Sequence, residues 1–191
     1  MNRALTIPQT LHERLIRGRI AYDVLFVLAG SAIIAIAAQI AIPVPFSPVP
    51  LTMQPLAVLL VGVVLGSKRG AAAAVLYLLE GAAGLPVFSL GRGGAIWLAG
   101  PTAGYLLSYP FAAFIAGWFS ERGWGGNVLR AVTGMLVALA AIYIGGWAWL
   151  ALITDARTAF LTGVAPFVVA DIVKIALGAS VLPYAQRLIA R

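Results

Sequence analysis

Apolar runs punctuated by proline, glycine and basic residues divide the chain into six segments, roughly 21–42, 55–67, 70–83, 99–119, 129–150 and 163–186. The longer ones match the length of a helix that crosses a bilayer, which takes about 20 residues. The second and third fall short of it, which leaves either a tilted segment or one where the chain folds back into the protein. Between the runs stand two loops that cannot form regular helix, Pro43-Val-Pro-Phe-Ser-Pro-Val-Pro50 and Gly84-Leu-Pro-Val-Phe-Ser-Leu-Gly-Arg-Gly-Gly94. Irregular backbone at membrane depth is tolerated only where it is buried in protein or lines a cavity. The pattern therefore predicts an all-α integral membrane protein of six transmembrane helices, forming one domain over 1–191 with a basic segment at 1–20.

Composition agrees. Apolar residues make up 62% of the chain and charged residues 10%, the reverse of a water-soluble domain. There is no cysteine and one histidine, His12, in the polar N-terminal stretch; a metal site is not expected. The net charge of +7 could mean nucleic acid or anionic lipid, and its placement decides. Arg3, Arg14, Arg17 and Arg19 precede the first long apolar run, the position of a juxtamembrane cluster facing membrane lipid, with no nucleic-acid partner.

Loop charge also sets orientation. With the N-terminus inside, Arg3, Arg14, Arg17, Arg19, Lys68, Arg69, Arg122, Arg130, Arg187 and Arg191 fall on the cytoplasmic side. Only Arg92 and Arg157 fall outside, and Lys174 lies within a span. This asymmetry predicts an N-in, C-in topology, with both irregular loops on the outer side.

Asp171 and Lys174 interrupt the last apolar run three residues apart, so on a helix they share a face about one turn apart. With a helix start near Pro166 they lie about 8 and 12 Å below the outer end. Ionisable residues inside a membrane are costly and usually mark function, although an internal ion pair fixing helix rotation is the structural alternative. One strong acceptor beside one strong donor complements an amide-like or ureido-like group. Glu80, at the outer end of the third span, reads as a solvated or packing residue, and Asp23 as a membrane-edge residue.

Four ordered stretches resemble one known family. Val49-Pro-Leu-Thr-Met-Gln54, Leu76-Tyr-Leu-Leu-Glu-Gly-Ala-Ala-Gly-Leu-Pro-Val-Phe88, Gly93-Gly-Ala-Ile-Trp-Leu-Ala-Gly-Pro-Thr-Ala-Gly-Tyr105 and Pro166-Phe-Val-Val-Ala-Asp-Ile-Val-Lys174 look like those of the BioY family. Its members are the biotin-specific S components of energy-coupling-factor vitamin transporters. One departure is visible: Ala170 stands where a glycine commonly precedes the aspartate, adding a methyl to the local packing.

The resemblance implies an S-component fold with an outward-facing biotin pocket roofed by the loops after the first and third spans. Asp171 would accept from the ureido N–H groups, and Lys174 would donate to the ureido carbonyl or to the carboxylate. Arg92 matches a ligand-touching loop position and is a candidate for the valerate carboxylate, against the alternative of a solvated loop arginine. Gln54 offers an amide for the ureido group or the lid, or else caps the second helix. Gly93, Gly94 and Gly100 allow close backbone approach, and Pro101 suits a helix start. Trp97 and Tyr105 could wall a bicyclic ring system or serve as interfacial anchors.

In the first span Ser31, Ala32, Ala35, Ala38 and Ala41 form a small-residue surface that admits another helix, within this chain or from a partner. The resemblance assigns it to docking on a transmembrane coupling subunit, with two ATPase subunits completing the transporter in the cytoplasmic membrane of a prokaryote. Energy has to come from those partners. The nearest approach to a phosphate-cradling loop, Gly62-Val-Val-Leu-Gly66-Ser-Lys68, has the wrong spacing. An autonomous carrier for biotin or another small vitamin is the alternative, but no inverted repeat supports it. A membrane-embedded enzyme lacks any nucleophile–base or metal constellation, so no catalytic residue and no cofactor is expected.

Overall fold

The computed structural model describes residues 19–189. Among them run the helices α1 (Arg19–Gln39), α2 (Gln54–Leu65), α3 (Ser67–Ala82), α4 (Ala103–Glu121), α5 (Val128–Ile153), α6 (Ala156–Gly163) and α7 (Ala165–Ile189). His12, Arg3, Arg14, Arg17 and Arg191 lie outside the described residues.

The helices follow the apolar runs closely, with two differences. The first span ends at Gln39, and the chain continues into a two-residue strand β1 (Ala41–Ile42) that pairs antiparallel with β2 (Leu51–Thr52). The proline-rich stretch between them is thus a hairpin folded back over the helices. The expected sixth span is preceded by α6, an eight-residue helix whose N-terminus is capped by Asp155 accepting from the N–H groups of Arg157 and Thr158. α6 and α7 meet at Val164 with a bend of 40°.

By length and composition, α1 from Ile20 and α5 can each cross a membrane, and the bent pair Ala156–Gly163 with Ala165–Ser180 makes a third candidate. α2, at 12 residues, is about 18 Å long, shorter than the hydrocarbon layer. It joins α3 through Gly66 alone, at φ 86°, a left-handed turn that suits a residue without Cβ.

α4 is the hub, packing on α2, α3 and α5. Its Ala112, Ala113 and Ala116 are buried, and such small residues let backbones approach where hydrocarbon offers no hydrophobic drive. Outward, Phe111, Ile144, Val169 and Leu177 are exposed, an apolar surface that lipid rather than water solvates. This is a membrane protein.

Polar contacts show which helix ends share a side. Arg69 at the start of α3 donates to Asp23 near the start of α1, Nε to Oδ1 at 2.7 Å. The Ser67 amide donates to Glu121 at the end of α4, 2.8 Å away. At the opposite end Gln39 meets the loop after α3, and there the hairpin and that loop roof a cavity.

Candidate functional site

The cavity and its open mouth together take in about 640 Å³ of space between atoms. Its walls come from α4 (Tyr105, Leu106, Tyr109), α5 (Ile142, Tyr143) and α7 (Phe167, Asp171). Its roof comes from the hairpin (Val49 to Thr52) and from the loop after α3 (Phe88, Ser89, Arg92, Trp97).

Asp171 is the one acidic residue on the lining, and it is only 4% exposed. Two donors hold its carboxylate. Lys174 Nζ donates to Oδ1 at 2.7 Å, and the Tyr143 hydroxyl donates to Oδ2 at 2.7 Å. Each oxygen keeps a lone pair, so the group is oriented and charge-balanced without being used up.

Lys174 stands off the lining. Its ammonium also donates to the Thr52 carbonyl at 2.8 Å, which ties α7 to β2. The i, i+3 pair is therefore formed as the spacing anticipated, with the acid facing the cavity and the base behind it, under the roof.

Gln54 lines the cavity and is buried. Of its two anticipated uses, capping is not found: α2 has no side-chain cap at its N-terminus. Gln54 Nε2 instead donates to the Tyr77 hydroxyl at 2.6 Å, and Thr52 Oγ1 donates to Gln54 Oε1 at 3.2 Å. Arg92 and Trp97 both line the mouth, the guanidinium carbon standing 4.3 Å from the indole centroid. That stacking leaves the N–H edge of Arg92 free of the ring.

Tyr105 walls the cavity and donates to the Gly163 carbonyl at 2.8 Å, pinning the end of α6. Gly93, Gly94 and Gly100 are off the lining and shape the loop behind it. A Cβ on Gly93 would stand 2.3 Å from the Leu85 carbonyl oxygen, and Gly94 has φ 102°. The Gly100 carbonyl accepts from Trp149 Nε1 at 3.0 Å.

The small-residue stripe of α1 requires a correction. Ser31 and Ala38 have no exposed surface, because they pack inside this chain, and Ser31 donates to Glu80 of α3. Neither can be reached by another subunit. Ala32 is exposed, and Ala35 and Ala41 are half-buried. Glu80 is thus a packing partner, and Asp23 is paired to Arg69.

Tyr143, Tyr109, Phe88, Phe167 and Thr52 were not anticipated at the site. Tyr109 was within reach, since Tyr105 and Tyr109 lie four apart and share a helix face. Tyr143 is the one tyrosine of a long apolar helix, and only the packing of α5 on α7 shows what it faces.

The model of the BioY family matches residues 8–191. The chain is 42% identical over 156 residues to a "Probable biotin transporter BioY" of Pyrococcus horikoshii, covering 82% of this chain and 91% of that one. It is 38% identical over 164 residues to a "Biotin transporter BioY" of Rhizobium etli, covering 82% and 88%. It is 37% identical over 153 residues to one from Thermotoga maritima, covering 78% and 86%. Among solved structures, the crystal structure described as the S-component for biotin from an ECF-type ABC transporter shares its fold. The TM-score is 0.74 at 24% identity, over 87% of this chain and 92% of the other.

Proposed function

The chain belongs to the BioY family, and from that premise we propose that it captures biotin from the external side, as the substrate-binding S component of an energy-coupling-factor transporter. It is a biotin transport protein and not an enzyme. The observation that carries the reading is Asp171, a buried carboxylate aimed into an aromatic-walled cavity and held by Lys174 and Tyr143.

The chemistry of the cavity fits the ligand from both ends. The ureido N–H groups meet the free lone pairs of Asp171, and the bicyclic ring lies among Tyr105, Tyr109 and Phe167. The valerate reaches toward Arg92 at the mouth, where Trp97 supports the guanidinium. Lys174 acts through Asp171 and the hairpin, holding the carboxylate in orientation and the roof in register. No cofactor takes part in binding.

The topology that goes with this role is one membrane-embedded domain crossing six times, N-in and C-in, in the cytoplasmic membrane of a prokaryote. Arg69 and Arg122 stand at the end away from the roof, which supports that orientation. Docking on a transmembrane coupling subunit uses the outer face of α1, where Ala32 lies among exposed Ile33 and Ile36; two ATPase subunits supply the energy.

The test is equilibrium binding of biotin to the detergent-purified protein with thiamine and riboflavin as competitors. Biotin-selective binding is expected. A well-folded protein that binds no biotin, or binds all three equally, overturns the reading.

A further inference from the structure

The loop after α3 makes a tight turn at Phe88–Arg92, closed by the Phe88 amide donating to the Arg92 carbonyl at 2.9 Å. At its tip Leu90 has φ 64°, the only non-glycine residue with positive φ among the described residues, and Gly91 has φ 69°. A leucine in this conformation is strained and persists only where its surroundings hold it. The turn matters because Phe88, Ser89 and Arg92 all line the cavity.

Besides that backbone bond and the buried Phe88 ring, one side chain reaches both limbs of the turn. Gln39, the last residue of α1, accepts from the Gly91 amide through Oε1 at 3.0 Å. Its Nε2 donates to the Ala35 carbonyl of its own helix at 3.1 Å and, across the gap, to the carbonyl oxygens of Phe88 at 3.3 Å and Val87 at 3.4 Å. One amide thus clamps both limbs of the turn. Immediately after it the chain enters the hairpin, where Met53 N–H donates to the Ile40 carbonyl at 3.1 Å. Gln39 therefore stands at the junction of the two roof loops and at the end of α1.

We propose that Gln39 is a positioning residue for ligand retention, a clasp that seats Ser89 and Arg92 over the cavity and joins the two roof loops so that they open together. The retention part rests on the biotin reading; the clasp itself does not.

The experiment measures two things on the full-length purified protein and on Gln39→Ala and Gln39→Glu. One is the biotin dissociation rate. The other is hydrogen exchange of residues 84–94 in ligand-free protein. The clasp predicts dissociation roughly tenfold faster in Gln39→Ala with association changed by less than about twofold. It predicts faster exchange at 88–92 while α2, α4 and α5 stay protected. Gln39→Glu keeps the acceptor for Gly91 but faces the Phe88 carbonyl with an oxygen, so dissociation rises while the Gly91 amide stays protected. Unchanged exchange at 88–92 in Gln39→Ala overturns the clasp, as does a general loss of protection across the helices. If the wild type binds no biotin, the biotin reading fails, and the exchange comparison still decides the clasp.

Discussion

Replacing Asp171 by asparagine separates the two ends of the proposed binding mode. The residue is 4% exposed, and its carboxylate accepts from Lys174 and Tyr143, both at 2.7 Å. In Asp171→Asn one oxygen becomes an NH2, which must face either the Tyr143 hydroxyl or the ammonium of Lys174. Removing one partner of a buried pair costs about 3–5 kcal/mol of folding stability, because the remaining charge is uncompensated. Much of that is common to free and bound protein. The part that enters affinity is the charge-assisted acceptor for the ureido N–H groups, about 2–3 kcal/mol, or roughly 30- to 150-fold in Kd. Arg92→Ala removes a partly exposed cation already stacked on Trp97, worth about 1 kcal/mol, roughly fivefold. Isothermal titration of the purified variants reads both losses, and melting temperature reports the folding component separately. Asp171→Asn should lose more affinity than Arg92→Ala; equal, negligible losses would refute the reasoning.

Tyr143→Phe removes one of the two donors to Asp171 and should weaken biotin roughly fivefold with its packing retained, read by the same titration. Biotin methyl ester should bind wild type roughly fivefold weaker than biotin, and Arg92→Ala should bind acid and ester equally, because the ester lacks the carboxylate that Arg92 meets. On α1, Ala32→Trp should leave biotin binding intact and abolish uptake in cells that supply the transporter partners, whereas Ala38→Trp, at a fully buried position, should yield unfolded protein in a melting assay. Hydrogen bonds from Thr158 foremost, and from Arg157, hold the Asp155 carboxyl below the usual range. Its folded value lies under its unfolded one, so the cap's charged contribution is present above the unfolded value and is lost as pH falls through the folded one. Acidification should therefore lower the protection of the Arg157 and Thr158 amides relative to their intrinsic exchange rates at each pH, an effect absent in Asp155→Asn.

The helices were legible because lipid solvation demands long apolar runs, and a helix is the simplest way to satisfy backbone groups within one run. The Asp171–Lys174 pair was legible for the same reason, as two charges in such a run require an inward face. What the sequence could not show depends on contacts between segments. The β1–β2 hairpin is two residues per strand, too short for any alternation to appear, and its register comes from the helices beneath it. α6 was hidden inside the approach to the last span, although Asp155 followed by Ala-Arg-Thr carries a helix-start signal. Ser31 and Ala38 look the same in sequence as Ala32, since a small residue suits packing within the chain and against a partner equally. Lys174 pointed to ligand by its charge, and only the position of Thr52 shows that its ammonium is engaged with the roof.

A crystal structure with biotin bound decides how the ligand sits in the cavity. Expected are a ureido nitrogen within about 3 Å of an Asp171 carboxylate oxygen, the bicyclic ring among Tyr105, Tyr109 and Phe167, and the valerate carboxylate at Arg92. Biotin seated in the opposite sense, with its carboxylate at the Asp171 end, or bound outside this cavity, would contradict this binding mode.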